Sequence, residues 1–111
     1  MTYYAISVTK RGYVAAWPTK GETYFARLDK AGNRLAPGEI KTPGRSGMRT
    51  GLTVLGAPDG RSLVGWKDQG NLGWQVYDER GRPEGARGSV KSAGKGTAGV
   101  VDRNGRFILL Q

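Results

Sequence analysis

The feature that most constrains this chain is an internal correspondence at an offset of 49 residues. Residues 17–33 align without a gap on 66–82, placing Trp17 on Trp66, Gly21 on Gly70, Phe25 on Trp74, Asp29 on Asp78 and Gly32 on Gly81. Gly44 falls near Gly94, one insertion later. A shorter element recurs three times, at 10–17, 59–66 and 104–111. Recurrence of this length means that one supersecondary unit has been used more than once, each copy burying its apolar face against the next. The units are expected at about 1–50 and 51–96, with a half unit at 97–111, inside a single domain spanning 1–111.

Each unit reads as antiparallel hairpins. Short apolar runs at 53–58 and 62–66 flank Asp59-Gly60, a pair that enters positive-φ turns at low cost. The run 72–77 is expected after a loop at 67–71, and Asp78-Glu79-Arg80-Gly81 supplies the next turn. Asp29-Lys30-Ala31-Gly32-Asn33 supplies its equivalent in the first unit, with Gly32 placed to adopt a left-handed backbone, and Asn104-Gly105 closes the last hairpin. No dozen-residue window spaces its apolar residues at three and four, and 19 Gly with 5 Pro oppose helices of any length. The expected fold is all-β, an antiparallel meander of about ten short strands.

Four strands per repeat of this length is the arithmetic of a propeller blade. The residues that carry a resemblance are Leu28-Asp29-Lys30-Ala31-Gly32-Asn33 with Ile40, followed by Asp59-Gly60-Arg61-Ser62-Leu63-Val64-Gly65-Trp66. In this pattern the chain resembles the β-propeller-like repeats of large bacterial proteins. The resemblance implies propeller-like units and carries no active site. A closed ring takes at least four blades, and two and a half units fall short of it. The expectation is therefore an arrangement completed by oligomerisation, with homo-oligomers favoured, or a small open meander curled on itself.

Composition narrows function mainly by exclusion. With no Cys and no His, the chain has no disulfide framework, no Cys/His zinc site, no thiol nucleophile and no imidazole base. Asp29, Asp59 and Asp78 occupy turn positions, and the other carboxylates form no cluster, so neither a metal centre nor an acid/base pair is expected. The reading is a non-enzymatic protein without a cofactor. Leu, Ile, Val and Phe number only 21 of 111 residues, a thin core that favours association. The run 107–110, four apolar residues, would be a liability as an unpaired edge. No segment approaches the ~18 consecutive apolar residues of a membrane span, and no secretory leader is apparent, so the expected location is cytoplasmic.

Charge supplies the positive indication. Lys plus Arg total 18 against 9 Asp plus Glu, giving +9 and a pI near 10.3. Seven cations lie between 80 and 106 against Glu84 and Asp102, and Arg45 and Arg49 sit in a carboxylate-free segment at 41–50. If the loops share a rim, Arg45, Arg49, Arg80, Arg82, Arg87, Lys91 and Lys95 form a basic surface for an anionic macromolecule, an acidic protein surface or nucleic acid. The alternative assignment for these residues is solvated loops with no common face. A second functional reading is a lectin-like oligomeric propeller, with Trp17, Trp66 and Trp74 as candidate stacking platforms for sugars. The recurrence of the tryptophans fits inter-unit packing as well. Gly94-Lys95-Gly96-Thr97-Ala98-Gly99 matches a dinucleotide-loop spacing but precedes a strand instead of a helix, so it reads as a connection between units.

Overall fold

A computed structural model of the chain describes residues 4–45, 51–68, 70–91 and 98–110. Among the described residues ten strands form three antiparallel sheets, and no helix is long and apolar enough to cross a membrane. The first sheet is a meander of β1 (Ala5–Val8), β2 (Gly12–Thr19), β3 (Glu22–Asp29) and β4 (Ile40–Arg45). The second repeats that order with β5 (Leu52–Gly56), β6 (Ser62–Asp68), β7 (Asn71–Tyr77) and β8 (Pro83–Lys91). A hairpin of β9 (Ala98–Val101) and β10 (Phe107–Leu110) forms the third.

Turn chemistry explains why the chain reverses where it does. At Asp29 the N–H donates to the Asn33 carbonyl at 2.9 Å, and the Gly32 N–H donates to the Asp29 carbonyl at 3.0 Å. This is a type I turn closed by a left-handed residue, and Gly32 takes φ +89° at no steric cost. The Asp29 carboxylate accepts the N–H groups of Ala31 and Asn33, both at 2.9 Å, and so fixes the turn from inside. Asp78 with Gly81 and Asp102 with Gly105 repeat these bonds between β7 and β8 and between β9 and β10. The β5–β6 turn keeps the backbone pattern from Ala57 to Arg61 but moves the carboxylate to Asp59, which accepts the Arg61 N–H at 3.0 Å.

One expected loop is shorter than the composition indicated. β6 runs to Asp68 and β7 resumes at Asn71, so the loop expected at 67–71 is a two-residue reversal with Asp68 opposite Asn71. The β2–β3 reversal is its counterpart: Thr19 pairs with Glu22 across Lys20 and Gly21, both at positive φ, the turn type whose twist suits a hairpin. A polar residue such as Asn71 reads as loop, yet an exposed strand end accepts it readily. Pro43 and Pro83 lie on the outer strands β4 and β8, where a lost N–H is tolerated.

The two four-stranded sheets bury one face each against the other. Val14, Ala16 and Phe25 of the first sheet meet Leu52, Val54, Val64, Trp66 and Tyr77 of the second. The Phe25 and Tyr77 rings lie 4.3 Å apart at 44°, and burial pushes the Tyr77 phenol up to about 12. β4 admits the Trp66 indole only because Gly44 lacks a side chain; a Cβ there would stand 2.1 Å from the ring. At the inner edge Gly56 donates its N–H to Ser7 Oγ at 3.0 Å, holding β5 against β1. The β9–β10 hairpin covers part of the second sheet's other face. There the Arg61 guanidinium donates to the Gly105 carbonyl at 2.7 Å and stacks over Phe107.

Gly44→Ala is expected to destabilise the fold by about 1–3 kcal/mol, the usual cost of overpacking a filled core. The denaturant midpoint is the measurement, and an unchanged midpoint would mean that the sheets part freely at this point.

Candidate functional site: an arginine-lined groove

The β3–β4 connection and the β7–β8 turn meet at a common groove. It is open, about 520 Å³, and its wall includes Arg11, Arg27, Ile40, Arg80, Gly81 and Arg82. Arg27 is its organising residue. Along β3, Thr23, Phe25 and Arg27 share one side by the two-residue period of a strand, so this cation stands on the buried side instead of the solvent side. Its guanidinium donates from Nη1 to the Glu79 carbonyl and from Nη2 to the Ala36 carbonyl. One side chain thereby joins the β7–β8 turn to the connection that follows β3. Nε is buried and has no hydrogen-bond partner among the described residues. Burial lowers the Arg27 pKa from its ordinary value, Asp78 opposes that effect, and the Arg11 charge adds to it.

The other three arginines frame the opening. Arg80 and Arg82 are exposed on the β7–β8 turn. Their placement follows from Asp78, whose carboxylate accepts both of their backbone N–H groups, at 2.8 and 3.0 Å. Gly81, between them, packs so closely that a Cβ would stand 2.6 Å from Ile40 Cδ1 and 3.1 Å from Arg27 Nε. Arg11 comes from the β1–β2 turn and lies 3.6 Å from Glu79 Oε2 in an exposed ion pair. Glu79 is the one carboxylate against four guanidiniums among the residues lining the groove. Guanidinium groups suit bidentate bonds to carboxylate or phosphate oxygens.

The cations expected from the sequence are thus distributed. Arg80 and Arg82 are brought together here, with Arg11 and Arg27, which composition alone did not single out. Arg45 instead closes on Glu22 at 3.2 Å, beside Lys41 at 3.5 Å. Arg87 and Lys91 stand exposed on β8 and do not line the groove. Arg49 and Lys95 lie outside the described residues, as does most of the glycine-rich stretch at 94–99. The tryptophans are placed for packing. Trp17 and Trp66 are only 7% and 8% exposed, with Trp17 covered by Tyr4 at 5.8 Å and by the Arg34 guanidinium at 5.1 Å. Trp74 is half-buried in an apolar cleft away from the arginines. Among the described residues no three carboxylates gather as a metal site would require.

The turn aspartates make the stability of the fold depend on pH. Asp29, Asp59, Asp78 and Asp102 all have pKa values held below the ordinary carboxylate value, chiefly by backbone N–H donors from Asn33, Arg61, Arg82 and Arg106 respectively. A carboxylate depressed in the folded state stabilises the fold at pH above its unfolded pKa. That contribution disappears as pH falls through the folded value. Thermal midpoints are therefore expected to fall as pH drops below about 4, and less steeply in Asp78→Asn. Equal pH slopes for the variant and the parent would exclude this role for Asp78. The chain matches no family model, and neither a curated protein nor a solved structure matches it, so the groove itself carries the functional reading.

Proposed function

We propose that this chain is a non-enzymatic binding module of propeller-like β units whose arginine groove engages an anionic macromolecule. The observation that carries the reading is the convergence of Arg11, Arg27, Arg80 and Arg82 around one cavity with Glu79 as the only opposing carboxylate in its wall among the described residues. The propeller-like description is supported by the shared four-strand order, by the offset that carries Trp17 to Trp66, and by β1, β5 and β9 lying against one another in succession.

An acidic protein segment fits better than nucleic acid. Single strands are held by bases stacked on aromatic rings as well as by cations, and among the described residues no aromatic side chain lines this groove. Carboxylates need only the guanidinium forks. Arg27 is already oriented by two carbonyls, so little side-chain freedom remains to be lost when a ligand arrives.

The test is titration of a fluorescent acidic peptide into the chain at several salt concentrations. Affinity is expected to fall steeply between about 50 and 300 mM salt, as screening predicts. Arg80→Glu with Arg82→Glu is expected to weaken binding at least about tenfold, about 1.4 kcal/mol, with the thermal midpoint retained because both side chains are exposed. Salt-independent binding would overturn the reading. Tighter binding of a single-stranded oligonucleotide than of the peptide would transfer the groove to nucleic acid.

A further inference from the structure

We infer that the anion suited to the arginine groove is the phosphoryl group of a phosphorylated peptide, with an apolar neighbour of that residue seated on the groove's prolines. This deepens the groove reading given above and rests on it. Charge is the first reason. Arg11, Arg27, Arg80 and Arg82 meet Glu79 in the wall. The Asp78 carboxylate stands behind the same turn, where it accepts two backbone N–H groups. Four guanidiniums against two carboxylates leave a surplus of two positive charges. A peptide carboxylate supplies one negative charge, whereas a phosphorylated side chain supplies about 1.5 to 2 at a single point.

The state of each guanidinium is the second reason. Arg80 and Arg82 are exposed and form no ion pair among the described residues. Arg11 meets Glu79 at 3.6 Å through two exposed side chains, a contact that an incoming anion can replace. Arg27 is different. Its two Nη groups donate to the Glu79 and Ala36 carbonyls, neutral partners that leave the charge itself uncompensated. One anchored cation therefore stands with three exposed ones, each able to turn a fork toward the same group. A phosphoryl group offers three strong acceptor oxygens to such a set.

The apolar part of the wall favours a peptide as the carrier. Pro37, Ile40 and Pro83 line the groove beside the arginines, and the two prolines are exposed. They offer contact to an aliphatic side chain next to the phosphorylated residue. Nucleic acid matches less well on two counts. Its bases find no aromatic surface in this wall among the described residues. Its backbone also carries a single charge at each phosphate, where the surplus here is two.

The experiment titrates the full chain with fluorescein-labelled forms of one short peptide. The central residue is phosphoserine, glutamate or serine, flanked by leucine, and the acidic peptide described above is run beside them. The phosphoserine form is expected to bind at least about tenfold more tightly than the glutamate form. Replacing the flanking leucine by serine is expected to weaken it about threefold. Arg80→Lys with Arg82→Lys keeps the charge and removes the forks. It is expected to reduce the preference for phosphoserine to about threefold or less, with an unchanged thermal midpoint because both side chains are exposed. Equal affinity for the phosphoserine and glutamate forms, with the acidic peptide still bound, would overturn this inference and leave the groove reading intact. Failure of every anionic peptide to bind would overturn both. Inorganic phosphate that competes as well as the unlabelled phosphopeptide would also overturn the inference, since the peptide would then contribute nothing. Tighter binding of a single-stranded oligonucleotide would do the same.

Discussion

Everything in this molecule depends on one face-to-face contact, the seating of Trp66 and Tyr77 of the second sheet on Gly44 and Phe25 of the first. A four-stranded antiparallel meander has one side to hide and cannot hide it alone. With so few large aliphatic side chains, aromatic area supplies much of the burial. Glycine on the facing strand then determines how near the sheets approach. The hydrogen bond from Gly56 to Ser7 and the Arg27 bridge to the Glu79 carbonyl reinforce the same junction from two sides.

The groove is a by-product of that junction. Docking the sheets brings the turn after β7 over the connection that follows β3. The Arg27 guanidinium satisfies carbonyls from both. Asp78 performs the corresponding task for Arg80 and Arg82, holding the turn by its backbone while leaving both guanidiniums in solvent. A carboxylate thus places two of the groove's cations, and its own charge is spent on backbone donors.

Much of the architecture was legible beforehand because turn chemistry is local. An aspartate three residues before a glycine determines a reversal without reference to distant contacts, and Asp29, Asp78 and Asp102 with their glycines all behave so. The reversal at Lys20-Gly21 was harder to see, since lysine at positive φ carries no compositional signal. The site was only half legible. Arg80 and Arg82 lay in an evident cationic turn, but Arg45 had Glu22 waiting across the strand pair, a relation that depends on register. Arg11 and Arg27 come together only when two sheets meet. The available clue was parity: Arg27 follows Thr23 and Phe25 on the buried side of β3, where an arginine is out of place unless it has carbonyls to hold.

That placement means that, in the proposed reading, recognition and cohesion would share a single guanidinium. Any occupant that draws Arg27 outward must loosen a tie between the halves of the protein, whereas one that accepts Arg27 where it stands adds a further strut across the seam. A substitution that removed the Arg27 guanidinium would therefore alter the groove and cut the tie between the sheets at once.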